Sequence, residues 1–193
     1  MESESLQALS QGKAKLIVTS RELSTTRRTI SALKRAVPGA CIRSTGFRAI
    51  FALESEGDPQ ELAKRVNQEC FRLIGHITAV FAEVQSSFDP IKEAAVRIGT
   101  EQIGENERFC FRLNKRGAHR LEQDTPKIEN EIGGAIWEAL VQKYGQEPSI
   151  SLRNPDIKII ADVLGPVTAV GIWRNAWQPG ETPRREAGGP AWE

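Results

Sequence analysis

Three helical patterns in this chain open on a proline that directly follows a short polar residue: Asp58-Pro59, Asp89-Pro90 and Thr125-Pro126. Proline fits the first turn of a helix and resists later ones, because it has no N–H to give and its ring collides with the preceding turn. Each pair therefore marks where a helix begins, and the stretches between them must supply the strands. Upstream of the first, LIVTS at 16–20 is a β-branched run of the kind a buried strand uses. Ile30, Leu33 and Val37 then recur at helical spacing, which predicts a helix from Ser24 to Val37 ended by Pro38-Gly39. CIRSTG and RAIFALE alternate as two strands that turn near Gly46-Phe47. After Asp58-Pro59, Leu62, Val66, Cys70, Phe71 and Leu73 fall on one side of a helix that stops at Gly75, and HITAVFAEV at 76–84 is the next strand. The order β-α-β-β-α-β over residues 13–86 is that of a ferredoxin-like domain.

Ser86-Ser87 and the new helix start at Asp89-Pro90 place a boundary near residue 87. Beyond it, Ile91, Ala94, Ala95 and Ile98 repeat as a helix towards Gly104. In RFCFRL, Phe109, Phe111 and Leu113 share one face and Arg108, Cys110 and Arg112 the other, which predicts a half-buried strand with an exposed basic face. Thr125 as N-cap and Pro126 as first residue open a helix whose Ile128, Ile132, Ala135, Ile136, Ala139 and Leu140 lie on one side. Gly145 closes it, and SISL, KIIADVL and TAVGIWR supply three more strands. The second domain runs over 87–177, and the tail, 178–193, is rich in Pro, Gly and charge and reads as flexible. The fold class is α+β, a ferredoxin-like domain followed by an α/β one.

The chain's 193 residues suit two small domains, and 39% apolar with 26% charged residues is ordinary for a globular protein. No apolar run approaches the roughly 20 residues of a membrane span, and MESESLQALSQGKAK has no charged-then-apolar leader, so a cytoplasmic protein without a membrane partner is expected. Cys41, Cys70 and Cys110 are far apart and fit neither a zinc site nor a disulfide framework. The formal net charge of +1 conceals a strong local bias: Arg21, Arg27, Arg28, Lys34, Arg35, Arg43 and Arg48 stand against Glu22 alone. Arg27 with Lys34, and Arg28 with Arg35, are each one heptad apart and line up away from the apolar face of their helix.

Catalytic signals are missing. The sequence holds no GxxxxGK loop, no GxGxxG and no GxSxG elbow, so neither a nucleotide cofactor nor serine hydrolysis is expected. His76 and His119 are the only imidazoles; His76 opens an apolar strand, and His119 sits in a basic loop where phosphate is within its chemistry. Asp156 and Asp162, at strand ends, read as turn residues. Gly133-Gly134, inside a helix, implies close backbone approach, by a packed element first and a ligand second. Trp137 reads as core or interdomain, and Trp173 and Trp177 as packing residues that also suit base stacking.

FRLNKRGAHRLEQDTPKIENEIGGAIWEAL followed by SISLRNPDIKIIADVLGPVTAVGIWR resembles the THUMP domain, found in 4-thiouridine synthetases, tRNA methyltransferases, pseudouridine synthases and tRNA acetylation adapters. The resemblance rests on Arg112-Leu113-Asn114-Lys115-Arg116, on Thr125 ahead of a helix with Ile132-Gly133, and on Leu152-Arg153-Asn154-Pro155-Asp156. LIVTSRE near the start is similar to the stand-alone adapter branch. The resemblance implies a tRNA-binding protein that grips the acceptor stem and CCA end and presents them to a separate tRNA-modifying enzyme, such as a cytidine acetyltransferase, with no catalysis, cofactor or metal of its own. On that reading Arg112, Lys115, Arg116, His119 and Arg120 meet phosphates, Lys158 and Arg174 assist, and Arg27, Arg28, Lys34 and Arg35 extend the footprint. A self-contained RNA-modifying enzyme with an unfamiliar site and a protein-interaction module are the competing readings.

Overall fold

The computed structural model describes residues 13–178. Within them the order is β1 (Lys13–Ser20), α1 (Thr26–Ala36), β2 (Cys41–Ser44), β3 (Ile50–Glu56), α2 (Pro59–Cys70), β4 (Ile74–Gln85), α3 (Phe88–Gln102), β5 (Phe109–Asn114), α4 (Thr125–Tyr144), β6 (Ile157–Leu164) and β7 (Val167–Arg174). The expected elements are present, with one exception. SISL does not form a strand: Phe109 exchanges backbone bonds with Ser149 and Ser151 around a single bridge to Ile150, and the chain then turns away through Leu152–Asn154. The tail beyond Gln178, with Trp192, lies outside the described residues.

Helix starts follow the proline signals, but not identically. Asp58 caps α2 by accepting from the N–H groups of Gln60 and Glu61 at 2.8 and 2.9 Å, with Pro59 in the first turn. At α4 the cap moves one residue upstream from Thr125 to Asp124, whose carbonyl takes the Ile128 N–H; Thr125 is already helical and Asp124 makes no side-chain cap bond. In α1 the buried residues are Thr29, Ala32, Leu33 and Ala36, and the Thr29 hydroxyl meets Ser20 Oγ at 2.5 Å, a polar link that apolar spacing does not reveal. Phe71, expected on the buried side after α2, is exposed because the helix ends at Cys70.

The seven strands form one sheet in the order β2-β3-β1-β4-β7-β6-β5, antiparallel throughout except for β5 beside β6. All four helices bury their apolar sides in one continuous core on one face, with Leu16, Leu53, Ile77, Phe109, Ile159 and Val170 from the strands. The boundary expected near residue 87 falls just after β4, which pairs with β1 on one side and β7 on the other, so the sheet continues across it.

β4 reaches β7 through a bulge between Val80 and Ala82, opposite Gly171. A Cβ on Gly171 would lie 1.9 Å from the Ala79 carbonyl oxygen and 3.0 Å from Thr78 Cγ2, so only glycine admits this crossing. The sheet curls there, and on its helix-free side Ile17, Ile50, Val80 and Ala169 close into a second small core under Phe47. Gly171→Ala is expected to lower stability by at least about 3 kcal/mol in denaturant titration, since backbone rather than a yielding side chain blocks the methyl group.

Candidate nucleic-acid interface

The segment after β5 is not a loose turn. Arg116 C=O accepts the Gly165 N–H at 2.9 Å, Arg120 N–H donates to the Ser86 carbonyl at 3.0 Å, and Lys115 Nζ donates to the Gln123 carbonyl. His119 Nδ1 accepts the Leu121 N–H at 3.3 Å. Gly117 has φ +74°, and a Cβ there would sit 2.8 Å from Phe47 Cζ, so the β2–β3 connection packs its ring directly onto the basic loop. Arg120 is exposed and makes no ion pair with a described residue.

Beneath that loop lies Asp162, fully buried on β6. Thr78 Oγ1 donates to its Oδ2 at 2.7 Å, while Asn114 Nδ2 and Arg116 Nη1 both donate to Oδ1 at 3.0 Å. His76 Nε2 stands 3.8 Å from Oδ2 and 3.0 Å from Thr78 Oγ1. Because the Thr78 hydroxyl gives its proton to Asp162, His76 Nε2 is the donor in the His76–Thr78 bond. Burial pushes the Asp162 carboxyl up, but His76, Thr78 and Asn114 outweigh it and hold it at about 2, below its ordinary 3.8. Asp162 is thus an internal anchor for the basic loop rather than a turn residue. A strand-end aspartate gives no sign in sequence of the strand that will curl over it.

The other predicted cations occupy three settings. Arg112 reaches from β5 to Glu129 Oε2 on α4 and to the Leu152 carbonyl, both at 3.1 Å, and Glu129 Oε1 also takes the Leu113 N–H. Arg174 is tied inward, to Glu107 at 2.6 Å, to Gln60 of α2 and to the Gln102 carbonyl. Lys158 lies over the Trp173 ring, 4.2 Å from its centroid. Arg27, Arg28, Lys34 and Arg35 are all exposed along α1, and none pairs with a described acid. Arg108, expected to project from a basic strand face, forks onto Asp156, whose carboxyl that hydrogen bonding holds at about 2. Cys110, expected on the same exposed face, is buried, and burial pushes its thiol up.

Between β5, α4 and residues 149–152 runs a cleft of about 660 Å³. Its walls are Phe109, Phe111, Trp137, Ile150 and Leu152, with Arg112 at the rim. Ile150 and Leu152 are 55% and 62% exposed. Phe109 spends its backbone groups on Ser149 and Ser151, and Leu113 N–H goes to Glu129; Phe111, between them on the same edge, has no described partner there. Gly133 and Gly134 line this cleft, and a Cβ at either would meet nothing within 4 Å. The expectation that packing explains them is therefore corrected: no element is close enough to need the missing side chains. Trp137, expected in the core or between domains, is half-buried in the cleft wall, whereas Trp177 is core and its carbonyl takes Asn67 Nδ2.

The family model of the THUMP domain matches residues 85–172, from the end of β4 into β7. This part of the chain is a THUMP domain. No curated protein matches the sequence. Among solved structures, the chain is similar to PH1313 from Pyrococcus horikoshii Ot3, with 20% identity, a TM-score of 0.56 and coverage of 83% of this chain and 54% of that one. It is similar to TrmN from Thermus thermophilus, with 20% identity, a TM-score of 0.55, and coverage of 83% and 45%. A 4-thiouridine synthetase in complex with RNA and ATP is 19% identical, with a TM-score of 0.54 and coverage of 83% and 42%. The likeness at these identities is one of fold, and the chain spans about half the length of the structures it matches or less.

Replacing Asp162 by Asn should cost about 3 kcal/mol, because it leaves Arg116 facing a neutral group at a buried site. The Asp162 carboxylate, depressed in the folded state, stabilises fully above about pH 4 and loses that contribution as pH falls towards about 2. The gap between wild type and Asp162→Asn in urea titrations should accordingly narrow over that range.

Proposed function

We propose that the chain is a tRNA-binding protein that holds the acceptor stem and lays the unpaired CCA end in the β5–α4 cleft, presenting it to a separate modification enzyme. The observation that carries this reading is the pair of open glycines. A mid-helix glycine destabilises by roughly 0.5–1 kcal/mol relative to alanine, and nothing in the described fold needs the space at Gly133 or Gly134. What needs it on this reading is a ligand backbone against α4. The cleft suits an extended nucleotide chain: apolar and aromatic walls for base faces, the free edge groups of Phe111 for hydrogen bonds, and Arg112 at the rim for phosphate. The uncapped N-terminus of α4 and the cations Lys115, Arg116 and Arg120, with the His119 imidazole beside them, favour an anion at the same end of the helix.

The THUMP domain supports RNA as the ligand, and the fold likeness to the 4-thiouridine synthetase–RNA complex supports tRNA modification as the setting. The strand order of the first half, with two helices on one face, supports a ferredoxin-like unit at 13–86 beside the THUMP domain at 87–177. On this reading catalysis comes in trans, and the site of action is cytoplasmic.

Gly134→Ala should raise thermal stability by about 0.5–1 kcal/mol, whereas Gly134→Leu should abolish any preference for tRNA with an intact CCA end over trimmed tRNA in filter binding. Wild-type protein that binds both tRNAs alike would remove the cleft from the reading. Modified nucleoside appearing from tRNA, donor and this protein alone would overturn the adapter role.

A further inference from the structure

α1 contains no acidic residue, and its outward face carries Arg27, Arg28, Lys34 and Arg35. Two concavities flank it. One, of about 520 Å³, is lined by Arg27, Arg48, Leu23, Ser24, Thr26 and Ala49. The other, of about 320 Å³, is lined by Arg27, Arg28, Ser31, Arg35 and Leu73. Arg27 is common to both, hydroxyl groups line both, and neither wall contains a carboxylate. Several cations elsewhere on the molecule face acids instead: Lys15 meets Glu54 and Glu83, Arg65 meets Glu69, and Arg97 meets Glu101.

Arg48 links this face to the basic loop. It follows Phe47, whose ring packs on Gly117, and precedes Ala49, the one non-glycine residue with positive φ (62°) among the described residues. The Ala49 carbonyl is held by the Ser20 N–H at 2.8 Å, at the end of β1. One short connection therefore touches the loop after β5 with one residue and faces α1 with the next.

We propose that the two concavities on either side of Arg27 bind successive phosphates of an RNA duplex, with Arg48 as a phosphate-contacting residue. They form a second site that continues the basic loop around Phe47. The inference rests on the reading of the chain as an RNA-binding protein and assigns the paired part of the RNA to α1. Arginine in place of lysine favours RNA over a lipid surface, because a guanidinium forks onto phosphate and Leu23 is the only exposed large apolar residue lining either concavity. Seven residues of helix separate Arg28 from Arg35, about 10 Å along the axis, enough to serve more than one phosphate.

The test uses the full chain with a blunt RNA duplex and the same duplex carrying an unpaired CCA end, each titrated across salt. Arg27→Ala/Arg48→Ala should weaken binding to both probes by roughly tenfold at low salt and reduce the salt slope by about one for each phosphate no longer neutralised. Arg27→Lys/Arg48→Lys should retain the slope, which separates charge from fold, and Gly134→Leu should affect only the probe with the unpaired end. Unchanged affinity and slope in the alanine variant, while wild type binds RNA, would overturn the second site and leave the function standing. An alanine variant that no longer binds phosphatidylserine vesicles but binds RNA as wild type does would overturn it equally. Failure of wild type to bind either RNA would instead overturn the function itself.

Discussion

The crossing of β4 over β7 at Gly171 governs the helix-free side of the molecule. Because Gly171 has no side chain, the Ala79 carbonyl approaches to where a Cβ would stand, and the bulge at Val80–Ala82 lets β4 curl inward. The curl brings Thr78 to Asp162, two strands away in the sheet order, within hydrogen-bond distance. Asp162 in turn holds Asn114 and Arg116, so the position of the basic loop is set from below by a carboxylate that water does not reach. Polar chemistry on the surface is thus fixed by a steric fact in the sheet.

Much of this architecture is legible in the sequence because its signals are local. Asp58-Pro59 marks a helix start wherever it occurs, and alternation in β5 or the apolar run of β6 follows from burial alone. Three kinds of information are not local. Asp162 looks like a turn residue until the strand carrying Thr78 folds over it. Arg174 and Arg108 look like free cations until Glu107 and Asp156 arrive from distant segments. SISL has strand composition, yet the Arg112 guanidinium takes the Leu152 carbonyl and the ladder stops after one bridge. For Gly133-Gly134 the sequence raises the expectation of a close approach without saying by what, and only the open cleft beside α4 removes a packed element from the choice.

Ion pairing sorts the basic residues in a way that composition cannot. Arg108, Arg112 and Arg116 at the β5–β6 edge are partnered within the fold, with Asp156, Glu129 and Asp162 supplying the acids. Those pairs fix side chains in place and reduce the net field that they project. The α1 residues are the reverse: weakly held, strongly projecting, and suited to attraction over distance rather than to shape.

The THUMP match begins at residue 85, the last residue of β4, while β7 takes its ladder partners from residues 79–85. A fragment cut at the match would therefore leave β7 as an open edge, with Ile172 deprived of Ala79 opposite it and apolar backbone surface free to pair with another chain. The familiar module is an incomplete sheet by itself, and the strand that finishes it belongs to the half of the chain that the match does not cover.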